Sequence, residues 1–194
     1  MKERFLKKLP AALLILGAVL FGKGFYIHAK AQAAQWLLNR AWEKTLIGEK
    51  DTKPWSWADT HPVAKLTFTK GGESYIVLEG STGSSLAFGP GHLAGTPLPG
   101  EPGNCVIAGH RDTQFNVLRN VAKGDEIIVQ RPDNKVLHYK VKDIFVTDYK
   151  NVSVLRSGAG SDLTLVTCYP FDAVIPGGPE RFVVISELIL QSRK

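Results

Sequence analysis

A mostly β fold is predicted: about eight strands closed into a barrel with short helices, preceded by an N-terminal membrane-anchor helix. Three observations carry this reading. Short alternating or apolar runs recur from Val63 to Leu190, separated by turn-forming clusters. The 19 glycines and 11 prolines are scattered without repeat, as in a loop-rich β protein. A basic cluster, Lys2, Arg4, Lys7 and Lys8, leads directly into the apolar run Leu9–Gly22. Closure into a barrel hides strand edges, which favours it over a β-sandwich, the alternative.

Residues 1–30 read as a signal anchor or transmembrane segment. The apolar run reaches bilayer length when Lys23 snorkels and residues 24–27 are included. Ala29-Lys30-Ala31 has the small-x-small form of a cleavage site, but Lys30 suits such a site poorly and the helical pattern runs on, so an uncleaved anchor is expected. The positive-inside rule then keeps the N-terminus in the cytoplasm. The remainder is extracytoplasmic on a single-pass protein of the inner, or cytoplasmic, membrane, and periplasmic if the cell is Gram-negative.

Residues 31–62 are a juxtamembrane helix and linker. Ala33, Trp36, Leu37, Ala41, Trp42 and Leu46 recur at spacings of three and four, and Pro54-Trp55-Ser56-Trp57 marks an extended stretch. The tryptophans suit either a bilayer interface or packing on the domain that follows.

Residues 63–194 form the β domain. Strands are expected at 63–68 and 74–78, joined by Gly71-Gly72, and at 81–88 and 104–108, separated by a long Pro/Gly loop that holds His92. A short helix follows at Phe115, Val117, Leu118 and Val121, with Asp112 or Thr113 as its N-cap. Strands at 126–130 and 136–147 flank the Pro132-Asp133-Asn134 turn. Residues 148–162 form a loop with a helical turn at 152–155, and the last strands are 163–167 and 181–190.

Charge excludes one class of partner. The net charge is +6, yet residues 1–30 supply +5 of it, so the β domain has no basic cluster and nucleic acid is not an expected ligand.

Three chemically capable residues stand at strand ends. Cys168 closes the run Leu163–Thr167, His110 follows Val106–Ala108, and Arg181 opens Phe182–Ile185. A thiol needs a base or cation to become a nucleophile, an imidazole can shuttle its proton, and a guanidinium can hold carbonyl and oxyanion oxygens. Each residue alone is more often structural. Together in an exported chain they point to a cysteine transferase or protease. A disulfide between Cys105 and Cys168 in a non-enzymatic exported β-domain remains open. So does another thiol transpeptidase acting on peptidoglycan, although such enzymes keep histidine and cysteine close in sequence and here they are 58 positions apart. His92 is read as a loop polar residue or a second catalytic histidine. Asp112 either orients His110 or caps the helix.

The motifs resemble a known family. Leu165-Val166-Thr167-Cys168 resembles the Leu-x-Thr-Cys nucleophile motif of sortases, Ala108-Gly109-His110-Arg111-Asp112 their histidine motif, and Pro179–Val184 their arginine-bearing final strand. Trp55–Asp59 and Thr167–Phe171 look most like the sortases of Gram-negative bacteria. The resemblance implies a sortase-like eight-stranded barrel and a membrane-anchored cysteine transpeptidase. Such an enzyme cleaves a Leu-Pro-x-Thr-Gly-like C-terminal sorting signal of a secreted protein between Thr and Gly, through a thioester, and passes the acyl group to an amine acceptor. It implies Cys168 as nucleophile, His110 as acid and base, and Arg181 as carbonyl and oxyanion ligand, with Val166, Thr167 and Tyr169 binding substrate. No metal and no cofactor are expected.

Overall fold

The structure is a computed structural model and describes residues 2–49, 52–156, 160–175 and 177–189, with backbone alone for 2–9, 11 and 12. Leu190, the expected end of the last strand, and the side chains of the leading basic cluster lie outside that description. Two compact units divide at residues 37 and 38.

The first unit is helical and belongs to α1, Lys2–Leu46. One continuous helix follows from the unbroken run of apolar and helix-favouring residues. Pro10 lies inside the helix, two turns from its start, where it removes one i→i−4 hydrogen bond. Leu14 and Phe21 are 74% and 77% exposed, and the segment from Leu13 is long and apolar enough to cross a membrane.

The second unit is a closed barrel of eight strands: β1 Pro62–Phe68, β2 Ser74–Glu79, β3 Gly91–His92, β4 Gly103–Ala108, β5 Glu126–Gln130, β6 Val136–Asp148, β7 Ser161–Cys168 and β8 Glu180–Leu188. Around the barrel they run β1-β2-β3-β4-β7-β8-β6-β5, and β5 pairs back with β1. The pairings β2–β3 and β4–β7 are parallel; the rest are antiparallel. Alternate residues point inward, and Leu66, Ile107, Ile127, Leu163, Leu165 and Val184 meet in the core. Tyr139 is also fully buried; its hydroxyl accepts the Gly100 N–H at 2.8 Å, and burial, first of several causes, pushes its pKa up to about 12. This bond ties the long Pro/Gly loop to the barrel.

The last turns of α1 belong to this unit. Leu38 and Trp42 pack against Ile76 and Leu78 of β2, so Trp42 is a packing residue. Full burial of each side chain contributes on the order of 2 kcal/mol. Trp55 adds an edge-on contact with Phe88, ring centroids 4.7 Å apart.

Two sequence expectations are corrected. The strand expected over 81–88 is instead a short helix, α2, Gly83–Leu86, and the strand lies further on, at Gly91–His92 inside the expected loop. Glycine explains the shift. A Cβ on Gly89 would lie 2.7 Å from the Ile76 carbonyl, and one on Gly91 would collide with the Gly80 carbonyl, so only these residues let the chain press against β2. The expected helix after His110 is a 3-10 helix, Gln114–Asn120, with Phe115 and Leu118 fully buried. Neither Asp112 nor Thr113 caps it with a side chain, because the Asp112 carboxylate is taken by Arg111. The expected helical turn at Val152–Leu155 is present as a 3-10 turn, opened by the Asn151 side chain accepting the Ser153 N–H.

Candidate active site

Parallel pairing of β4 with β7 brings together residues 58 positions apart. Ala108 lies opposite Val166. One residue on, the Gly109 N–H donates to the Val166 carbonyl at 3.1 Å, and the Thr167 hydroxyl donates to the Gly109 carbonyl at 2.8 Å. His110 is the next residue along β4's path and Cys168 the next along β7. On the other side of β7 the antiparallel register sets Arg181 directly opposite Cys168. All three residues therefore meet at one end of the barrel, with His110 exposed and Cys168 and Arg181 half-buried.

Strand alternation puts the chemistry outside the barrel. Cys105 and Ile107 on β4 and Leu163 and Leu165 on β7 fill the core. Their neighbours Asn104, Val106 and Ala108, and Thr164, Val166 and Cys168, face outward. On β8, Val184 faces the core, so Val183 and Arg181 face outward.

The β6–β7 connection covers this outer face and leaves a groove of about 290 Å³. Val106, Val166 and Val183 are its floor, Val152, Val154 and Leu155 its wall, and Tyr149 and Arg181 stand at its end. Asn104 anchors the wall: its Nδ2 donates to the Val154 carbonyl at 2.9 Å, while its Oδ1 accepts the buried Thr164 hydroxyl at 2.8 Å. Arg181 is steered in two ways. Its Nη1 donates to the Gly178 and Glu180 carbonyls, each at 2.8 Å, and its guanidinium lies 5.7 Å above the Tyr149 ring.

The expected substrate-binding residues separate. Val166 lines the groove. Thr167 is 2% exposed and spends its hydroxyl on Gly109, so it holds β4 to β7. Tyr169 is half-buried, stacked on Phe182 at 6.1 Å and edge-on to Phe171, and so braces the β7–β8 connection.

His92 is 4% exposed. Its Nδ1 is 3.1 Å from the Glu79 carboxylate, and its Nε2 is 3.1 Å from both the Pro97 carbonyl and the Thr96 hydroxyl. Every ring nitrogen is engaged in holding the loop, which leaves no nitrogen for substrate. Asp112 accepts Arg111 Nε and Nη2 at 2.9 and 3.2 Å, and this guanidinium holds its carboxyl below the usual range. Asp112 thus serves Arg111 and does not cap the helix, and the nearby His110 is a smaller contributor to its lowered carboxyl pKa. Arg111 went unassigned in the sequence: nothing in a run of Gly-His-Arg-Asp marks an arginine that the fold buries.

Both cysteines are free, which removes the disulfide reading. The reason is geometric. Cys105 lies opposite Leu163, so Cys168 is five residues further along β7, roughly 16 Å at strand rise, and points out of the barrel where Cys105 points in. Burial, then Glu101 and Glu79, pushes the Cys105 thiol up to about 12, which leaves it inert at neutral pH. No cluster of three or more His, Cys, Asp or Glu suited to a metal is present among the described residues.

Comparison with known proteins agrees with this geometry. The sequence model of the sortase domain family matches residues 66–189. Sortase D of Bacillus subtilis (strain 168) is 27% identical over 113 residues, 58% of this chain and 57% of that protein, so the match spans little more than half of the relative's length. The solved structure of a Clostridium perfringens Sortase D5 transpeptidase superposes with a TM-score of 0.64 at 28% identity, covering 81% of this chain and 99% of that one. Sortase C-1 from Actinomyces oris gives 0.61 at 29% identity, covering 80% and 85%. These relatives are Gram-positive sortases, so the expected likeness to those of Gram-negative bacteria is not supported. Trp55–Asp59, which carried part of that expectation, lies outside the matched residues.

Proposed function

Because this chain belongs to the sortase family, we propose that it is a membrane-anchored cysteine transpeptidase that resolves a Leu-Pro-x-Thr-Gly-like sorting signal through a thioester on Cys168. The observation that carries this reading is the shared outer face: Cys168, Arg181 and the apolar groove floor at Val106, Val166 and Val183 lie side by side, with His110 at the adjoining strand end. An apolar groove ending in a guanidinium suits an extended peptide with an apolar leading portion and a scissile carbonyl at the charged end.

In the first step the Cys168 sulfur attacks the Thr carbonyl carbon. An S–C bond forms, and the carbonyl electrons move to oxygen, where the Arg181 guanidinium stabilises the charge. The C–N bond to Gly then breaks, and His110 gives a proton to the departing amine. In the second step an acceptor amine attacks the thioester carbon, His110 takes its proton, the new C–N bond forms and the S–C bond breaks, which returns the thiolate. Water in place of the amine gives hydrolysis. Val166 contributes to the groove floor.

The N-terminal helix supports anchorage in the cytoplasmic membrane, with residues 2–8 in the cytoplasm and the barrel on the far side, facing secreted substrates. The partners on this reading are a secreted protein bearing the C-terminal signal and an amine-bearing acceptor.

Intact-mass measurement with a Leu-Pro-x-Thr-Gly peptide tests the proposal. The parent protein is expected to gain the mass of the acyl fragment in a hydroxylamine-sensitive form, and Cys168→Ala to gain nothing while keeping its fold. An adduct that persists in Cys168→Ala rules the proposal out.

A further inference from the structure

Beyond the three residues at the strand ends, one charged side chain in this region is buried. Arg111 is 6% exposed, and three of its nitrogens make four hydrogen bonds. Nη1 donates to the Pro170 carbonyl at 2.7 Å and Nη2 to the Ala173 carbonyl at 2.9 Å. Nε and Nη2 also grip the Asp112 carboxylate, which is itself exposed. A buried guanidinium is costly unless its donors are satisfied, so this arrangement is a built one.

Its position in the chain gives it meaning. Arg111 adjoins His110, and Pro170 lies two residues past Cys168. The main-chain pairing of β4 with β7 ends just before, at Gly109 with Val166, and the Thr167 hydroxyl adds one more bond. Beyond that point no backbone hydrogen bond joins the two segments among the described residues, and the guanidinium takes over the pairing. A second, weaker tie runs in parallel: Arg119 reaches Asp172 at 2.9 Å and lies over the Phe171 ring, but both charged groups are exposed.

We propose that Arg111 is a positioning residue, a strap that carries the β4–β7 alignment past the strand ends and so sets His110 against Cys168. The inference rests on the transpeptidase reading above. Its physical content is a division of labour. The groove floor and wall are built from other residues, so the strap acts on the alignment of nucleophile and acid and leaves peptide binding alone. Lysine cannot replace it, because one ammonium centre cannot span two carbonyls and a carboxylate in a fixed plane. The Arg111 guanidinium is held above its usual pKa, first by the Asp112 hydrogen bond.

The test compares the parent, Arg111→Lys, Arg111→Gln, Asp112→Asn and Cys168→Ala in steady-state acylation by the signal peptide, with a thermal melt of each. For both Arg111 variants kcat is expected to fall about 100-fold while KM stays within about threefold, because misplacement by an ångström is enough to cost that much. Asp112→Asn, whose exposed side chain spares the fold, is expected to lower kcat about fivefold at unchanged KM, since the fork then loses one of its anchors. The idea fails if Arg111→Lys restores parental kcat, which would leave charge as the whole role. It also fails if kcat follows only the unfolded fraction, or if KM rises and kcat does not change. Should both Arg111 variants unfold, Asp112→Asn decides, and parental kcat there overturns the strap. A parent that forms no thioester ends the transpeptidase reading and the strap with it; a parent that acylates beside variants that match it ends the strap alone.

Discussion

Asn104 offers a way to separate the stability of the barrel from the shape of the groove. It is 3% exposed and bridges Thr164 of β7 to the carbonyl of Val154 in the groove wall. Asn104→Leu keeps the branching at Cγ and the number of heavy atoms, and removes both bonds. The Thr164 hydroxyl, fully buried, is then left without an acceptor, at a cost of about 1–3 kcal/mol. The Val154 carbonyl is half-buried and recovers water, so its loss is nearer the net worth of a hydrogen bond, about 1 kcal/mol. The sum, about 2–4 kcal/mol, lowers Tm by about 5–12 °C in a domain of this size. Adding Thr164→Val removes the orphaned hydroxyl and returns most of that loss, because both partners are now apolar. It does nothing for Val154, so the wall stays unanchored. KM for the signal peptide is therefore expected to rise about three- to tenfold in Asn104→Leu, the equivalent of about 0.7–1.4 kcal/mol, and to stay raised in the double variant. Thermal melts and peptide kinetics on the same samples give both readouts. Recovery of KM together with Tm in the double variant, or a KM that never moves, refutes the anchoring role.

Two further predictions follow from the same end of the barrel. A Cβ on Gly109 would lie 2.7 Å from the ring of Phe115, which is fully buried and has nowhere to go; Gly109→Ala is expected to cost about 1–3 kcal/mol and, by shifting the next residue, His110, to slow acylation about tenfold or more. Parental acylation at parental Tm would show that the glycine is dispensable. The Asp112 carboxyl has its pKa lowered in the folded chain, chiefly by the Arg111 hydrogen bond, so its stabilising contribution is present above the ordinary carboxylate range and is lost as pH falls through the lowered value. Asp112→Asn removes that titration, and melts taken from pH 6 down through about pH 3 should show a shallower loss of Tm than the parent; coincident slopes would contradict the assignment.

The barrel was legible because its signals are local. Alternation in β1, β2, β5 and β6, and the apolar runs of β4, β7 and β8, each mark a strand without reference to the rest of the chain. The expected strand at 81–88 was misplaced for the opposite reason. β3 is two residues long, and it exists because Gly89 and Gly91 permit close approach to β2, a fact about the neighbouring strand that no window of sequence contains. At the candidate site the three strand-end residues stood out as reactive types in matching positions. Arg111 and Asn104 did not, since a buried arginine and a buried asparagine look like surface residues until the carbonyls they hold are known. Thr167 misled in the same way: as a residue of the nucleophile motif it was expected to face substrate, but it lies one position from Cys168 and so points to the opposite side of the strand.

That alternation also explains why the site and the core are specified together. The register of β7 is locked on one face by Leu163 and Leu165, both fully buried, and on the other by Thr164 meeting Asn104. A slip of one residue would expel both leucines and turn Cys168 into the barrel, at a cost of several kcal/mol in lost burial alone. The apolar residues that stabilise the sheet thus also hold the thiol outward, opposite Arg181 and beside the strand that leads to His110. Past the last rung β4 and β7 share no further backbone bond among the described residues, and there the chain relies on one buried guanidinium with the weaker, exposed Arg119–Asp172 pair beside it. Disruption of the core leucines should therefore remove the fold and the chemistry together, whereas replacement of Arg111 should leave a folded barrel with its groove intact and its nucleophile out of line.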